Sequence, residues 1–314
     1  MKLSFSDMEA RQMFQHPKPR RLEWPHLCPS VHWAQIQRPF PGPGKYRTLY
    51  DFELIYVFQG ELLIHFNDEI APIPVGAGDL LLLSSAMRHR IELLADPHTH
   101  LLGIHFDFFN EQTVLAEQDL TVREDKIDPE RFCSIPVMGE GHPVFGAHYE
   151  SVPYEMVEWM ERIVEEHAKG RGNPGYELAC RGLMLLIFTQ LLSLDTKSSR
   201  PNLHSGYQGK IKELAVEMEI RPGAPWANAE MAGRFNVSED HFIRLFKDIV
   251  GMSPRKYLQF IRHREAKKML RETDMKIELI GRQLGYEDLH NFSKVFKKWQ
   301  GISPRAYRKL SILH

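Results

Sequence analysis

The pattern of apolar and polar positions changes along the chain from short runs to helical periods. Between about residues 31 and 109, apolar and aromatic segments are bounded by Gly, Pro or Asp, and they include FELIYVF, ELLIHF, DLLLLS and HLLGIHFDFF. Short segments of this kind between turn residues predict β-strands. Together they predict a small antiparallel sandwich or barrel, and a barrel is the fold favoured here.

Two periodic patterns after the strands predict helices. The segment Tyr154–His167 places Val157, Met160 and Val164 on one stripe among acidic residues. The segment Tyr176–Leu194 is apolar on almost every side at its centre, so another surface must cover it. That surface is either the predicted barrel or a second copy of the chain in a homodimer, and the two arrangements are compatible.

A repeat with a shift of 50 residues is the sharpest signal in the chain. The segment 246–257 reads FKDIVGMSPRKY and recurs as FKKWQGISPRAY, with seven identical positions of twelve. Gly251 and Gly301 suit the left-handed position that ends a helix. Pro254 and Pro304 suit the first turn of the next helix, where no amide donor is needed. Each copy therefore predicts a helix, a tight stop and a new helix.

Each copy is preceded by a shorter helical segment and a turn, at 236–237 and at 285–286. Ser238 is predicted to cap the next helix of the first copy. The apolar stripe of that helix starts at Phe242 and follows the spacing i, i+3, i+4, i+7, and a matching stripe starts at Phe292. Two helices joined by a turn, present twice, predict two helix-turn-helix units.

The face opposite each apolar stripe carries long polar side chains at matching positions. At about 100° per residue, this outward face holds Asp240, Arg244 and Lys247 in the first unit and His290, Lys294 and Lys297 in the second. Side chains of this kind reach base edges and phosphates in a major groove. A single such helix is often no more than a solvated charged face, but two copies in one register favour DNA binding.

A rod-like helix is predicted between the two units, from Pro254 to about Glu272, without Gly or Pro inside it after the first position. At ~1.5 Å per residue it is ~28 Å long. Successive major-groove faces on one side of a duplex lie ~34 Å apart. One polypeptide is therefore expected to hold both recognition helices about one helical turn apart.

Charge and cysteine content narrow the class of protein. The net charge is −1, but the chain from Tyr207 onward has 21 Lys and Arg against 13 Asp and Glu, so this basic last third follows an acidic body. Cys28, Cys133 and Cys180 are too scattered for a disulfide framework or a thiolate metal cluster. No signal peptide is predicted, and the longest apolar segment, Leu183–Leu194, is too short to span a bilayer. A cytoplasmic protein without a membrane span is expected.

The C-terminal blocks MAGRFNVSEDHFIRLFK and IGRQLGYEDLHNFSKVFKKWQGISPRAYR resemble the AraC/XylS family of bacterial regulators, over Gln208–Lys309. The resemblance implies base contacts by Asp240, Ile243, Arg244, Leu289, His290, Asn291 and Lys294. The candidate DNA-binding set is completed by Ser238, Lys247, Lys297 and Lys298. The family also implies a sugar or similar metabolite as inducer, a homodimer, and RNA polymerase as a partner. Glu239 and Asp240 depart from the family, because they put negative charge where donors are common.

Two patterns in the strand region resemble the motifs of the cupin barrel. Glu53 is followed after six residues by Gly60, and Gly78 and Asp79 are followed by His89. The paired histidines that precede the glutamate in cupins are missing, and two ligands are too few for a transition metal. No metal and no cofactor are therefore predicted. The candidate ligand-binding residues are Glu53 and His89, with Trp33, Arg47, Tyr56 and His105 as weaker candidates.

The sequence as a whole predicts an α+β chain of four parts. These are a cupin-like sensing domain with an N-terminal arm (1–150), a helical dimerisation segment (151–195), a linker (196–206) and a DNA-binding domain (207–314). The predicted function is sequence-specific transcription regulation through double-stranded DNA, controlled by a small sugar-like metabolite. Two alternatives are a regulator controlled by a protein partner without a ligand, and a metal-cupin enzyme with a helical appendage.

Overall fold

The computed structural model describes residues 18–66, 71–94, 99–113, 119–122, 127–139, 141–150, 152–198 and 205–311. The chain divides into two compact units, Met1–Asn202 and Leu203–His314. The predicted N-terminal arm lies almost entirely outside the described residues, and so do residues 199–204 of the predicted linker.

The N-terminal unit is built from short strands, as the segments between turn residues predict. Their bounds are β1 (Pro19–Arg21), β2 (Ser30–Gln37), β3 (Gly42–Pro43), β4 (Phe52–Gln59), β5 (Glu61–His65), β6 (Ile73–Gly76), β7 (Leu80–Leu83), β8 (Arg90–Leu93), β9 (His100–Asp107), β10 (Ile135–Met138), β11 (His142–Pro143) and β12 (His148–Tyr149). They form a five-stranded sheet of order β12-β7-β4-β9-β2, a four-stranded sheet β3-β8-β5-β6 and a three-stranded sheet β1-β10-β11.

The strands do not close into the predicted barrel. The four- and five-stranded sheets share one apolar core, which includes Ile55, Leu62, Val75 and Leu83. Gly60 has a φ of 85° and turns the chain from β4 in one sheet into β5 in the other. In the described part of the chain, β12 and β2 are the edge strands of the five-stranded sheet, and β3 and β6 are those of the four-stranded sheet. The sheets of this unit are therefore open, and the α+β fold class is confirmed.

Two helices, α1 (Tyr154–Ala168) and α2 (Tyr176–Ser198), complete the N-terminal unit. Phe188 of α2 packs against Phe106 of β9 and against Phe108 just after this strand, with ring centres 5.6 and 4.9 Å away. Leu178 and Leu186 of the same helix are 74% and 46% exposed. The sequence predicted that another surface covers this apolar helix on all sides. The residues that the structure describes leave one side of it exposed.

The length of α2 also differs from the sequence expectation. By length and composition alone, Tyr176–Asp195 is long and apolar enough to cross a membrane, with a mean hydropathy of 1.5. Only 28% of this segment is buried inside the structure, and one such helix is weak evidence for a membrane span. The buried side of the helix includes Phe188, which packs on Phe106. The helix runs on to Ser198, so the first residues of the predicted linker are helical.

The C-terminal unit is helical throughout its described secondary structure. Its elements are α3 (Ser205–Ile220), α4 (Asn228–Arg234), α5 (Glu239–Val250), α6 (Pro254–Glu272), α7 (Ile277–Gln283), α8 (Leu289–Gln300) and α9 (Pro304–Ser311). The predicted rod is α6, with the predicted bounds. The pairs α4–α5 and α7–α8 are the two predicted helix-turn-helix units.

The predicted helix ends are confirmed. Gly251 and Gly301 end α5 and α8 with φ of 88° and 79°. The Ser238 hydroxyl accepts a hydrogen bond from the His241 amide and so caps α5. Asp288, which the sequence pattern did not single out, caps α8 in the same way through the Asn291 amide at 2.7 Å.

Candidate functional site

The helices α5 and α8 each have one buried and one exposed face. Phe242 and Phe246 are fully buried in α5, and Phe292 and Phe296 are buried in α8. These positions correspond under the 50-residue shift of the repeat. The two helices are therefore held in the same rotational register, and their opposite faces turn to solvent.

The candidate DNA-binding side chains lie on or beside these exposed faces. Those exposed to solvent are Ser238, Asp240, Arg244, Lys247, Leu289, His290, Asn291, Lys294, Lys297 and Lys298. Ile243 is half-buried. The structure thus brings most of the set to a surface that a duplex can approach.

The two exposed faces differ in charge. The α8 helix carries Lys294, Lys297 and Lys298 and no acidic residue, so it attracts phosphate more strongly than α5 does. Glu239 and Asp240 lie in the first turn of α5, where negative charge stabilises the positive end of the helix dipole. Glu239 and Asp240, which depart from the family pattern, therefore stabilise α5 itself.

A second cluster forms in the N-terminal unit around Glu53 of β4. Its carboxylate accepts a hydrogen bond from Arg47 Nη2 at 2.6 Å, and His105 Nε2 lies 3.4 Å from its other oxygen. Arg47 Nε also donates to His89 Nε2 at 3.1 Å. The Trp33 ring stands edge-on to His105 with centres 5.7 Å apart. Five of the six candidate ligand residues therefore meet at one place.

Tyr56 is separated from this cluster by the alternation of β4. Residues two apart on a strand share a face, so Glu53, Ile55 and Val57 point to the core between the sheets. Tyr56 lies on the other face and packs against Phe58, with ring centres 5.0 Å apart. The structure does not bring Tyr56 together with the other candidates.

Hydrogen bonding fixes the protonation of the histidines in the cluster. His89 Nδ1 must donate to the Met87 carbonyl at 3.0 Å while Nε2 accepts from Arg47, so His89 is neutral. Burial, followed by the charge of Arg47, lowers the pKa of His89 to about 4. Burial alone also disfavours a charged His105, but Glu53 and Asp51 outweigh it and raise the pKa of His105 to about 10.

Glu53 is ionised although it is buried. Burial opposes the ionisation, but the charge of Arg47, followed by that of His105, lowers the pKa of Glu53 to about 2. The Arg47 side chain is 32% exposed whereas the Glu53 side chain is 7% exposed. Arg47 is therefore the point at which this buried cluster reaches solvent.

The cluster continues inward through three residues that the sequence patterns did not single out. His105 Nδ1 lies 3.0 Å from Asp51, Asp51 lies 2.7 Å from His32 Nδ1, and His32 Nε2 lies 3.1 Å from Asp107. Positive and negative groups alternate from Arg47 to Asp107, and we call this set the buried charge chain. The available signal was the spacing i, i+2, which puts Asp51 on the face of Glu53 and Asp107 on the face of His105.

A metal site has no support in the residues that the structure describes, because no three of their His, Cys, Asp and Glu side chains are grouped to hold an ion. Glu53 and His89, the remnants of the cupin pattern, both bind Arg47 instead. The Arg47 guanidinium bridges the Glu53 carboxylate and the His89 ring.

Comparison with known proteins agrees with the C-terminal geometry. A family model described as a helix-turn-helix domain matches residues 231–310. The chain is 33% identical over 265 residues to the MmsAB operon regulatory protein of Pseudomonas aeruginosa, covering 82% of this chain and 74% of that protein. It is 25% identical over 267 residues to the transcriptional activator RhaS of Klebsiella pneumoniae, covering 83% and 86%.

A solved structure also matches. It is a transcriptional regulator from Chromobacterium violaceum, described by its AraC-type DNA-binding domain, and it is 30% identical. The match covers 34% of this chain and 96% of that chain, with a TM-score of 0.31. The Pseudomonas and Klebsiella relatives, which match along most of this chain, are both named as regulators and not as enzymes.

We expect the free energy of unfolding to decrease between pH 7 and 9 because of His105. Its folded-state pKa of about 10 exceeds the ordinary 6.5, so its stabilisation is complete below pH 6.5 and is lost as pH rises towards 10. His105→Gln should lower stability at pH 7 and flatten this decrease, by at most about 1.4 kcal/mol per pH unit. Urea denaturation at pH 7, 8 and 9 measures both effects. Exposed His142→Gln is the control and should keep the wild-type slope. Equal slopes in wild type and His105→Gln would contradict this assignment.

Proposed function

Because this chain belongs to the AraC/XylS family of DNA-binding transcription regulators, we propose that α5 and α8 read two successive major grooves of one duplex. The observation that carries the proposal is the matched register of two exposed polar faces, each fixed by a buried aromatic stripe. The 19 residues of α6 join the two units. At ~1.5 Å per residue this rod is ~28 Å long, near the ~34 Å between grooves on one side of DNA.

The exposed side chains divide between base edges and phosphates. Arg244 and Lys294 occupy equivalent positions of the repeat and are long enough to reach guanine edges. Asn291 in the first turn of α8 has the amide that pairs with adenine. Lys247 and Lys297, one turn towards the helix ends, are suited to phosphates.

The double variant Arg244→Ala/Lys294→Ala should bind its operator at least about 10-fold more weakly, because each lost base contact is worth about 1–3 kcal/mol. The operator is first selected from random duplex DNA with the wild-type protein, and binding is measured by fluorescence anisotropy at fixed salt. The double variant Arg21→Ala/Lys169→Ala, on the N-terminal unit, controls for the loss of two positive charges. Unchanged affinity and selectivity in the double variant would contradict the proposal. So would undiminished binding to an operator with five base pairs inserted between its halves.

We also propose that a small polar, sugar-like metabolite binds at the Arg47 end of the buried charge chain. Arg47 is the partly exposed donor, the ionised Glu53 is an acceptor, and the Trp33 ring beside them suits the apolar face of a sugar. Gly103 allows this closeness, because a Cβ there would lie 3.3 Å from Trp33 and 3.6 Å from Glu53. A ligand that accepts a hydrogen bond from Arg47 in place of Glu53 or His89 changes the electrostatic interactions along the buried charge chain.

A panel of monosaccharides and their acids tests this ligand site. At 100 times its Kd, a ligand is expected to stabilise the folded protein by about 2.7 kcal/mol, which raises the melting temperature. Arg47→Met should abolish this increase, and exposed Arg21→Met, the same substitution elsewhere in the unit, should keep it. If Arg47→Met responds as the wild type does, the site is wrong. If no compound stabilises the protein, control by a protein partner becomes the better interpretation.

A homodimer through α2 is the third part of the proposal. Leu178, Gly182, Leu185 and Leu186 form an uncharged exposed stripe on one face of the helix. Thr189 extends the stripe, and its hydroxyl donates to the Leu185 carbonyl at 2.8 Å, so this donor is already paired within the helix. Two copies of one helix can bury such a stripe against each other about a two-fold axis.

Leu186→Glu should convert the dimer to a monomer, because it places a charge in the centre of the paired stripe. Sedimentation velocity measures the change in mass, and exposed Glu177→Gln beside the stripe is the control that should remain dimeric. A monomeric wild type, or an unchanged dimer in Leu186→Glu, would contradict the proposed interface.

Regulation then follows from a shift between two states of the protein. A ligand shifts that equilibrium only by its difference in affinity for the two states. We propose that the metabolite acts in this way on DNA binding, with RNA polymerase as the partner at the promoter and the cytoplasm as the location.

A further inference from the structure

The two helix-turn-helix units touch at a second place besides α6. The loop 221–226, which leads into α4, lies against the turn 283–286, which separates α7 from α8. A Cβ added to Gly223 would overlap the carbonyl oxygen of Gln283. A Cβ added to Gly285 would lie 2.7 Å from the Gly223 carbonyl oxygen. Only glycine at both positions permits this contact between two backbones.

Arg262 of α6 binds both sides of this contact. Its Nε donates to the Pro222 carbonyl at 2.8 Å and its Nη2 to the Ala224 carbonyl at 3.2 Å. On the other side, the guanidinium carbon lies 5.6 Å from the centre of the Tyr286 ring. Planar guanidinium geometry allows one side chain to donate in two directions and still face a ring.

The contact between the loop and the turn joins a closed loop before α4 to the start of α8. The loop is closed on itself, because Trp226 Nε1 donates to the Arg221 carbonyl at 3.0 Å. The Tyr286 ring packs against Phe292 of α8 with centres 5.3 Å apart. A movement of the loop relative to the turn would therefore be transmitted directly to the second recognition helix.

A cleft of about 530 Å³ lies beside this contact, between the two helix-turn-helix units. Trp226 and Asn228 line it from the first unit, and Glu287 and Asn291 line it from the second unit. Opening or closing the cleft changes the separation of α5 and α8. Long helices commonly curve, so α6 by itself leaves the separation of the two units free to vary. The contact between the loop and the turn adds a second connection between them.

We propose that Gly223, Arg262, Gly285 and Tyr286, called here the Arg262 junction, fix the separation of the two recognition helices. Arg262 is a positioning residue in this proposal, because it acts through the loop and the turn and contacts no base. By fixing the separation, the junction sets the spacing between the two DNA segments that the protein accepts. This last step rests on the proposed reading of two grooves by one chain.

The separation is measured without DNA, on the full chain. Lys247→Cys and Lys297→Cys place spin labels at equivalent positions of α5 and α8, in a Cys28→Ser background, since Cys133 and Cys180 are buried. The labelled chain is diluted in excess unlabelled protein, so that each proposed dimer holds at most one labelled copy. Pulsed electron–electron double resonance should then give one narrow distance distribution. Arg262→Met should broaden it at least about twofold, because the donors are lost while the apolar stem is kept. Exposed Arg271→Met, the same substitution on the same helix, should leave it narrow.

Two further variants distinguish loss of the junction from loss of folding, and the folding of each variant is checked by its circular dichroism melting curve. Gly223→Ala forces the two backbones apart without touching Arg262 and should broaden the distribution in the same way. Arg262→Lys keeps the charge and one donor and should give an intermediate width. A distribution as narrow as the wild type in both Arg262→Met and Gly223→Ala overturns the proposal.

The selected operator, with one base pair added or removed between its halves, supplies the second readout. The wild type should prefer the original spacing by about tenfold. Arg262→Met should lose most of this preference while binding each half alone as the wild type does, within about twofold. A broadened distance with an unchanged preference would overturn the role in DNA spacing. A wild type that is indifferent to spacing would instead contradict the two-groove proposal and leave the distance result standing.

Discussion

The C-terminal unit depends on the burial of one aromatic face on each of two short helices. Phe242 and Phe246 in the first helix, and Phe292 and Phe296 in the second, are almost completely buried. A buried phenylalanine removes about 150–250 Å² from water, at roughly 25 cal/mol per Å². Rotating either helix by one residue would expose such rings. The outward direction of every polar side chain on α5 and α8 is therefore set by what the opposite face buries.

In the N-terminal unit, β4, the central strand of the five-stranded sheet, places the charged side chain of Glu53 in the core. An isolated buried carboxylate is costly, and the structure avoids this cost by alternating acids and bases from Arg47 to Asp107. Asp107, at the other end of the buried charge chain, also accepts from the amides of Phe109 and Glu111 and so holds the turn after β9. The result is a set of groups whose charges depend on one another, with Arg47 partly exposed at one end.

The two parts of the chain were predictable to different degrees. Helix ends and the outward polar faces of α5 and α8 could be predicted, since each depends on residues within about four positions of one another. The repeat with a shift of 50 residues then indicated that the two units share one register. In the strand region, five of the candidate ligand residues, Glu53, His89, Arg47, His105 and Trp33, lie together, and their binding of a ligand stays a prediction. Tyr56 was not among them, because its strand turns it to the opposite face, and Asp51, His32 and Asp107 were missed.

Local sequence patterns were sufficient for the fold class, the two helix-turn-helix units and the face that each presents, because periodicity, capping residues and turn glycines act over a few positions. The folded chain was needed to establish that the strands form open sheets and that α2 keeps an apolar stripe exposed. It was also needed to show that acids and histidines from three strands join into one chain, and that Arg262 meets a loop and a turn distant in sequence. These features depend on strand register and on contacts between residues some 20 to 75 positions apart, which no local pattern specifies.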